Sequence, residues 1–143
     1  MKHTLIYPKF NTAKLLITPP LNNLANSHNI SFRRTDNQNY MIEDIKKSRI
    51  FLIPGHKAEL YCLAAEEASE LCIPIVTLGI GSLSERVIHD KTGFIAKNNE
   101  EFSDYTIQLY KNDDLWKQIR NNLIMMRGKN KWSNVASDFM SKV

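Results

Sequence analysis

Apolar positions in this chain fall into short runs of strand length that alternate with longer stretches of helical period. The strand-like runs occupy residues 3–8, 30–34, 49–53, 75–77 and 94–96. Helical periodicity occupies residues 20–28, 40–47 and 58–71, followed by a short turn at 83–88 and three helices that begin near Asn99, Asp113 and Ser133. Alternating strands and helices indicate a parallel sheet covered on both faces. The pattern predicts one α/β domain over residues 1–143 with a helical C-terminus.

The helix predicted over Ala58–Leu71 is the central element, because Pro74 prevents its continuation. Its expected inward positions are Leu60, Leu63, Ala64, Ala68 and Leu71. In the C-terminal helices the expected inward positions are Phe102, Tyr105, Leu109, Leu115, Ile119, Leu123, Met126, Ala136, Phe139 and Met140. The expected N-caps are Asn98 or Asn99, Asp113 and Ser133.

Composition narrows the functional classes. Apolar residues make up 43% of the 143 positions, and no apolar run approaches the ~20 residues of a membrane span. The short apolar stretch before Pro8 cannot form a secretory signal. The net charge of +4 comes from scattered basic residues, without the basic stripe of a nucleic-acid binder. A cytoplasmic protein that binds no nucleic acid is expected, with peripheral contact at the inner face of the membrane left open.

The two cysteines and four histidines give no metal-site spacing. Cys62 and Cys72 both fall on the predicted helix, ten positions and thus ~15 Å apart, which is too far for a disulfide. They are expected to be small buried apolar residues. No metal site is predicted.

Two glutamates on the predicted helix are the candidate functional residues. Glu59 and Glu67 are eight positions apart, so on an ideal helix they share one side at a rise of ~12 Å. Paired acid and base carboxyls lie closer, at ~5–9.5 Å, so this spacing suits the two ends of an extended polar ligand. N–H groups of the first turn can hold an anion between them. From spacing alone, an ordinary solvated face formed by Glu66, Glu67 and Glu70 is the favoured alternative.

The surrounding motifs resemble those of a large family of retaining glycosyltransferases built from two Rossmann-like domains. The C-terminal domain of that family carries a Glu-x7-Glu motif, which Glu59 and Glu67 match. Further matches, in order, are the Glu-Ala and Val-Pro-Val-Val-Ala-Thr run (67–77), the Gly-Gly-x-x-Glu loop (79–85), the Val-x-Asp-Gly-x-Thr-Gly stretch (87–95) and the Trp-containing start of the last helix (131–136). The resemblance covers residues 50–143 and implies a Rossmann-like donor-binding domain.

The resemblance also implies roles for individual residues. Glu67 would hold the ribose hydroxyls of a nucleotide-diphosphate sugar, and Glu59, the catalytic candidate, would hold hydroxyls of the transferred sugar. The backbone of Leu60 and Tyr61 would lie beside the sugar and diphosphate. The loop with Gly79, Gly81 and Ser82 would border the same pocket. The family's reaction proceeds with retention, generally needs no metal, and uses the nucleotide sugar as substrate rather than a cofactor.

Several positions depart from the family pattern. Leu60-Tyr61-Cys62 stands where the family has Gly-Phe-Gly, and Cys72 replaces another usual glycine. No glycine precedes Gly55, so the family's glycine-rich turn with an Arg and a Lys that grip the diphosphate has no counterpart. Lys57 is the best substitute, with Lys9 and Lys14 as alternatives; a solvated loop lysine is an equal interpretation.

The family's N-terminal acceptor domain has no counterpart here, because residues 1–49 are too few to form it. The chain is then a fragment, a natural half-enzyme that docks on a separate acceptor domain or subunit, or a remnant. We expect the donor half of a transferase that acts on a saccharide or glycolipid acceptor in cell-surface polysaccharide synthesis, inactive alone. Alternatives are a non-catalytic nucleotide-binding or protein-interaction module and, less closely, a sugar epimerase.

Overall fold

The computed structural model describes residues 4–6, 23, 31–33, 38–129 and 132–142. Five strands form one sheet: β1 (Thr4–Ile6), β2 (Ser31–Arg33), β3 (Ser48–Leu52), β4 (Ile75–Thr77) and β5 (Gly93–Ile95). Their order is β2-β1-β3-β4-β5, and every neighbouring pair is parallel. The five predicted strands are therefore confirmed. The helix expected at residues 20–28 lies almost entirely outside the described residues.

Within the described residues, six helices accompany the sheet: α1 (Gln38–Lys46), α2 (Leu63–Glu70), α3 (Leu83–Arg86), α4 (Asn99–Lys111), α5 (Asp113–Met126) and α6 (Trp132–Ser141). In one buried cluster, Phe51, Ile53 and Ile75 pack on one face of the sheet against α1, α2 and α3. A second cluster joins Ile50 and Val76 on the opposite face to α4 and α5. Adjacent strand residues point to opposite faces. The α/β class, with helices on both faces of a parallel sheet, is confirmed.

The two helices on the second face, α4 and α5, begin at the residues that the sequence predicts. The side chain of Asn98 accepts a bond from the Glu101 amide at 2.9 Å and caps α4. Asn112, rather than the expected Asp113, caps α5 through the Leu115 amide at 3.0 Å. Asp113 instead takes the first helical position, where a negative charge favours the helix dipole. The predicted buried positions of both helices are buried or partly buried, as for Phe102, Leu109, Ile119 and Leu123.

The prediction for the last helix is wrong in its burial. Helix α6 begins at Trp132, so the expected N-cap Ser133 lies inside it. Ala136 is exposed, and Phe139 and Met140 are 67% and 73% exposed. Neither core cluster reaches these side chains. Helical period identified an apolar stripe, but it could not identify what the stripe packs against.

The prediction for the helix at 58–71 is also wrong at its start. Helix α2 begins at Leu63, because Cys62 has the left-handed φ of 55° and the preceding residues form a separate turn. Leu60 and Leu63, expected inside, are 91% and 64% exposed. Cys62 and Cys72 flank α2 instead of lying on it, and Cys72 also has a left-handed φ, of 58°. The expectation that both are free and buried is confirmed.

Candidate functional site

The sheet order creates a crevice at one edge. From β1 the chain turns to β2 on one side, and β3 then pairs with β1 on the other side. Such a change of direction opens a space outside the carboxyl ends of the strands, where open α/β sheets bind ligands. The segment that leaves β3 at this point comprises residues 53–62 and is called the Glu59 loop below.

The Glu59 loop is held by the segment that leaves β4, residues 78–82, called the Gly79 loop below. The Leu78 amide donates to the Pro54 carbonyl at 3.2 Å, and Gly55 forms a parallel bridge with Ile80. Further along, the Ser82 amide donates to the Glu59 carbonyl at 3.1 Å. The two loops are therefore joined by backbone bonds along their length.

Steric contacts explain why the two candidate positions of the Gly79 loop, Gly79 and Gly81, are occupied by glycine. Gly81 has φ +67°, and a Cβ there would lie 2.4 Å from the His56 carbonyl oxygen and 2.9 Å from that of Glu59. Gly79 has φ +66°, and a Cβ would lie 2.7 Å from Ile95 Cγ2. L-residues avoid such φ values, and no side chain fits these gaps. Gly81 thus permits the close approach of the Glu59 loop.

Glu59 and Glu67 do not share a helix. Glu59 lies four residues before α2, in a turn closed by its own amide, which donates to the His56 carbonyl at 3.0 Å. Glu67 lies within α2, and its Oε2 atom is buried. The helical spacing that related the two carboxylates therefore does not apply. The structure brings Glu59 together with Gly81 and Ser82, and each glutamate is half-buried rather than fully solvated.

The neighbouring glutamates are also engaged, so α2 does not carry a purely solvated acidic face. Glu66 pairs with Arg86 at 2.7 Å. Glu70 accepts a bond from the Gly128 amide at 3.3 Å and lies 3.9 Å from Arg127. Glu66 and Glu70 therefore face α3 and the end of α5. They line, with other residues, a groove of about 280 Å³ that none of the predicted donor-binding residues borders.

Cys62 lies beside the catalytic candidate. Burial and then a hydrogen bond with the Glu59 side chain raise the pKa of Cys62 to about 12. The thiol therefore stays protonated at neutral pH and can act as a donor toward the carboxylate. This contact could not be predicted from the sequence, because it depends on the left-handed turn at Cys62.

Ser82 has an unusual environment for a polar residue. It is 7% exposed, and within the described part of the chain its Oγ has no hydrogen-bond partner. It precedes α3 but its side chain makes no capping bond. A buried hydroxyl without a partner costs about 1–3 kcal/mol, so a ligand that supplied the partner would recover that energy.

Three other candidate residues lie at the surface of the crevice. Lys57 is exposed, and Leu60 and Tyr61 are 91% and 51% exposed. Helix α2 begins directly after them, so its first amides and the positive end of its dipole face this edge. The segment could contact a ligand through its backbone without any rearrangement of the core.

Arg86 is the contact residue that sequence reasoning missed. It bonds the Tyr61 carbonyl through Nε at 3.1 Å, and its guanidinium carbon lies 4.0 Å from the centre of the Tyr61 ring. Its partners Tyr61 and Glu66 are 25 and 20 positions away in the chain. No local spacing could therefore single it out.

The described residues contain neither a cluster of metal ligands nor a helix that could span a membrane. Nowhere in residues 4–6, 23, 31–33, 38–129 and 132–142 do three or more His, Cys, Asp or Glu side chains gather as metal ligands would. In the same part of the chain, every helix is too short or too polar to span a bilayer.

Comparison with solved structures shows the same fold in two proteins. The C-terminal domain of a glycosyl transferase group 1 family protein (LpcC) from Francisella tularensis superposes with a TM-score of 0.64 at 17% identity, covering 91% of this chain and 87% of that domain. A mutant of TarM from S. aureus, in complex with Fondaparinux, alpha-GlcNAc-glycerol and UDP, gives a TM-score of 0.62 at 13% identity. That match covers 98% of this chain but only 35% of TarM.

Sequence comparison is decisive for the family. Among curated proteins, none matches this chain by sequence. The sequence profile described as "Glycosyl transferases group 1" matches residues 20–125, which is well over half of the chain. The expected resemblance is thereby confirmed, and the chain belongs to the glycosyl transferases group 1 family.

Proposed function

We propose that this chain is the donor-binding half of a retaining, nucleotide-sugar-dependent glycosyltransferase. The observation that carries the proposal is the meeting of the Glu59 loop with the Gly79 loop at the carboxyl ends of β3 and β4, next to the crevice between β1 and β3, in a chain of this family. Because the chain spans about a third of TarM, which was captured with UDP, the activity of a whole enzyme is itself part of the proposal.

In the proposed complex, Glu67 accepts hydrogen bonds from the ribose hydroxyls and Glu59 from hydroxyls of the transferred sugar. Charge-assisted bonds of this kind are about twice as strong as neutral ones. Ser82 offers its buried hydroxyl, and the backbone of Leu60 and Tyr61 lies beside the sugar and diphosphate. Cys62, as a protonated thiol, supports the orientation of Glu59.

The leaving diphosphate is stabilised by positive potential at the crevice. The start of α2 supplies amide donors and the positive end of the helix dipole. Lys57, which is exposed on the Glu59 loop, supplies a positive charge. Fixed donors aimed at developing charge lower the barrier to departure of the nucleotide. No cofactor or metal enters this scheme, in which the nucleotide sugar is the substrate.

The acceptor is a saccharide or glycolipid, and its site belongs to a separate domain or subunit. An open half-cleft neither orients an acceptor nor excludes water, so we expect negligible transfer by this chain alone. A place at the cytoplasmic side of a polysaccharide-producing membrane fits such an acceptor.

Calorimetric titration with UDP, GDP, ADP and dTDP tests the donor site. We expect one nucleotide to bind selectively, and Glu67→Ala to weaken that binding by about tenfold or more, since a bond to a charged group contributes about 1.5–3 kcal/mol. Glu70→Ala is the matched control, because Glu70 lies on the same helix but faces Gly128. Absence of binding at millimolar nucleotide would instead support a non-catalytic remnant or interaction module.

A further inference from the structure

The guanidinium of Arg86 makes three contacts at once. Nε donates to the Tyr61 carbonyl at 3.1 Å, Nη1 pairs with Glu66 Oε1 at 2.7 Å, and the group lies over the Tyr61 ring at 4.0 Å. The Arg86 and Glu66 side chains are only 20% and 24% exposed. Solvent screens such a sheltered pair less than an ordinary surface ion pair.

These contacts act on the segment that carries the catalytic candidate. Tyr61 lies two residues after Glu59 and directly before Cys62, where the backbone turns left-handed at φ 55°. The Ser82 amide holds the Glu59 carbonyl at the other end of the same segment. Helix α3, only four residues long, thus fixes residues 59–62 at two points, Ser82 before it and Arg86 at its end.

We propose that Arg86 is a positioning residue that holds Tyr61, and through it the Glu59–Cys62 segment, in the conformation that binds the nucleotide-sugar donor. The ligand part of this inference rests on the proposed function, whereas the effect on the loop does not. Arg86 itself touches no reacting atom in this scheme.

The three contacts require arginine rather than any cation. A guanidinium is planar, so it can lie flat on a ring while its edge donates bonds in fixed directions. A lysine ammonium could replace the bond to Glu66 or the bond to the Tyr61 carbonyl, but it would not stack in the same way. A positive charge alone, as in Arg86→Lys, should therefore not restore the three contacts.

Amide hydrogen exchange tests the loop directly. Arg86→Met should accelerate exchange by about tenfold at the bonded amides of Glu59, Ala65 and Ser82. In the wild type, local opening of the loop must break the Arg86 contacts, and in the variant this cost is absent. The Leu71 amide, bonded to Glu67 later along α2, should keep its rate. Arg127→Met is the matched control: Arg127 also faces a glutamate of α2, at 3.9 Å, but is 60% exposed and lies away from the loop.

Titration with whichever of UDP, GDP, ADP and dTDP the wild-type chain binds supplies the second readout. Arg86→Met should raise the dissociation constant by about tenfold, Arg86→Lys should not rescue it, and Arg127→Met should leave it unchanged. If Arg86→Met does not fold, Arg86→Lys and Glu66→Gln carry the same exchange test. Unchanged exchange at Glu59, Ala65 and Ser82, or equal acceleration in Arg127→Met, overturns the inference. If the wild-type chain binds none of UDP, GDP, ADP and dTDP, the proposed function fails while the exchange result still decides the role of Arg86.

Discussion

Helices α4 and α5 start where the sequence indicates, whereas α2 starts five residues later than its pattern indicates. The first two begin at asparagine caps, Asn98 and Asn112, whose side chains bond the third helical amide. Helix α2 instead follows Cys62, which has a left-handed backbone and makes no side-chain capping bond. Local signals therefore set the start of the structural helices, and contacts across the fold set the start of the helix beside the crevice.

The difference separates two ways of ordering a chain. A capping asparagine acts within four residues and is visible in any window of sequence. The Glu59 loop is instead ordered by Gly81, Ser82 and Arg86, which lie some twenty or more residues further along.

Gly81→Ala should have the largest effect. A Cβ at φ +67° would lie 2.4 Å from the His56 carbonyl, so we expect a loss of about 2–4 kcal/mol in unfolding free energy and loss of nucleotide binding. Gly128→Ala is the control, since Gly128 has φ 73° but belongs to the turn after α5. Urea unfolding and calorimetry of both variants measure the effects. Equal losses in the two would show that backbone strain, rather than loop contact, is responsible.

Asn98→Ala and Asn112→Ala should each lower the unfolding free energy by about 1 kcal/mol through the lost cap. Since both caps serve helices on the other face of the sheet, nucleotide affinity should stay at the wild-type value. Urea unfolding gives the first quantity and titration the second. A matching fall in affinity would contradict the separation of the two regions.

Ser82→Ala should affect the unfolding free energy and the nucleotide affinity differently. The Oγ is buried and without a partner in the described residues, so its removal should leave the unfolding free energy unchanged or raise it by up to about 1 kcal/mol. Nucleotide binding should weaken if the hydroxyl serves the donor. Ser84→Ala, two residues on and exposed, is the control for both measurements. A more stable variant with full affinity would remove Ser82 from the site.

The smallest effect concerns pH and Cys62. The folded state raises the pKa of its thiol from 9.0 to about 12, so the protonated form is favoured in the fold. The associated stability is present below pH 9 and is lost as the pH rises toward 12. Unfolding midpoints at pH 8 and 10.5 should therefore fall more in the wild type than in Cys62→Ala. Thiol labelling of the folded protein at pH 8 should be slow, and rapid labelling would contradict the assigned burial.

The sequence predicted the sheet well because its signals are local or short in range. The continuous apolar run of β3 and the proline after α2 are visible without knowledge of the fold. The candidate site was predicted as a set of residues through family motifs, but its geometry was not. The left-handed turn at Cys62 takes Glu59 out of the helix, and the contact between Arg86 and Tyr61 forms only when α3 packs beside α2.

Helix α6 illustrates a second limit. Its period correctly gave an apolar stripe, but Phe139 and Met140 lie at the surface of the described structure. Periodicity reports which residues share a face and does not report the packing partner. Burial of a terminal helix depends on what lies beside it.

The pairing of β1 with β3 makes the crevice sensitive to chain entropy. Leu5 pairs with Ile50 in register, although a long stretch of chain separates them. Sheet formation therefore closes a long loop before any ligand arrives. A nucleotide that touched both sides of the crevice would act as a reversible cross-link, and at a hundredfold excess over its dissociation constant it would add about 2.7 kcal/mol to the unfolding free energy. Thermal unfolding with and without nucleotide would then report on docking of the N-terminal strand as well as on binding.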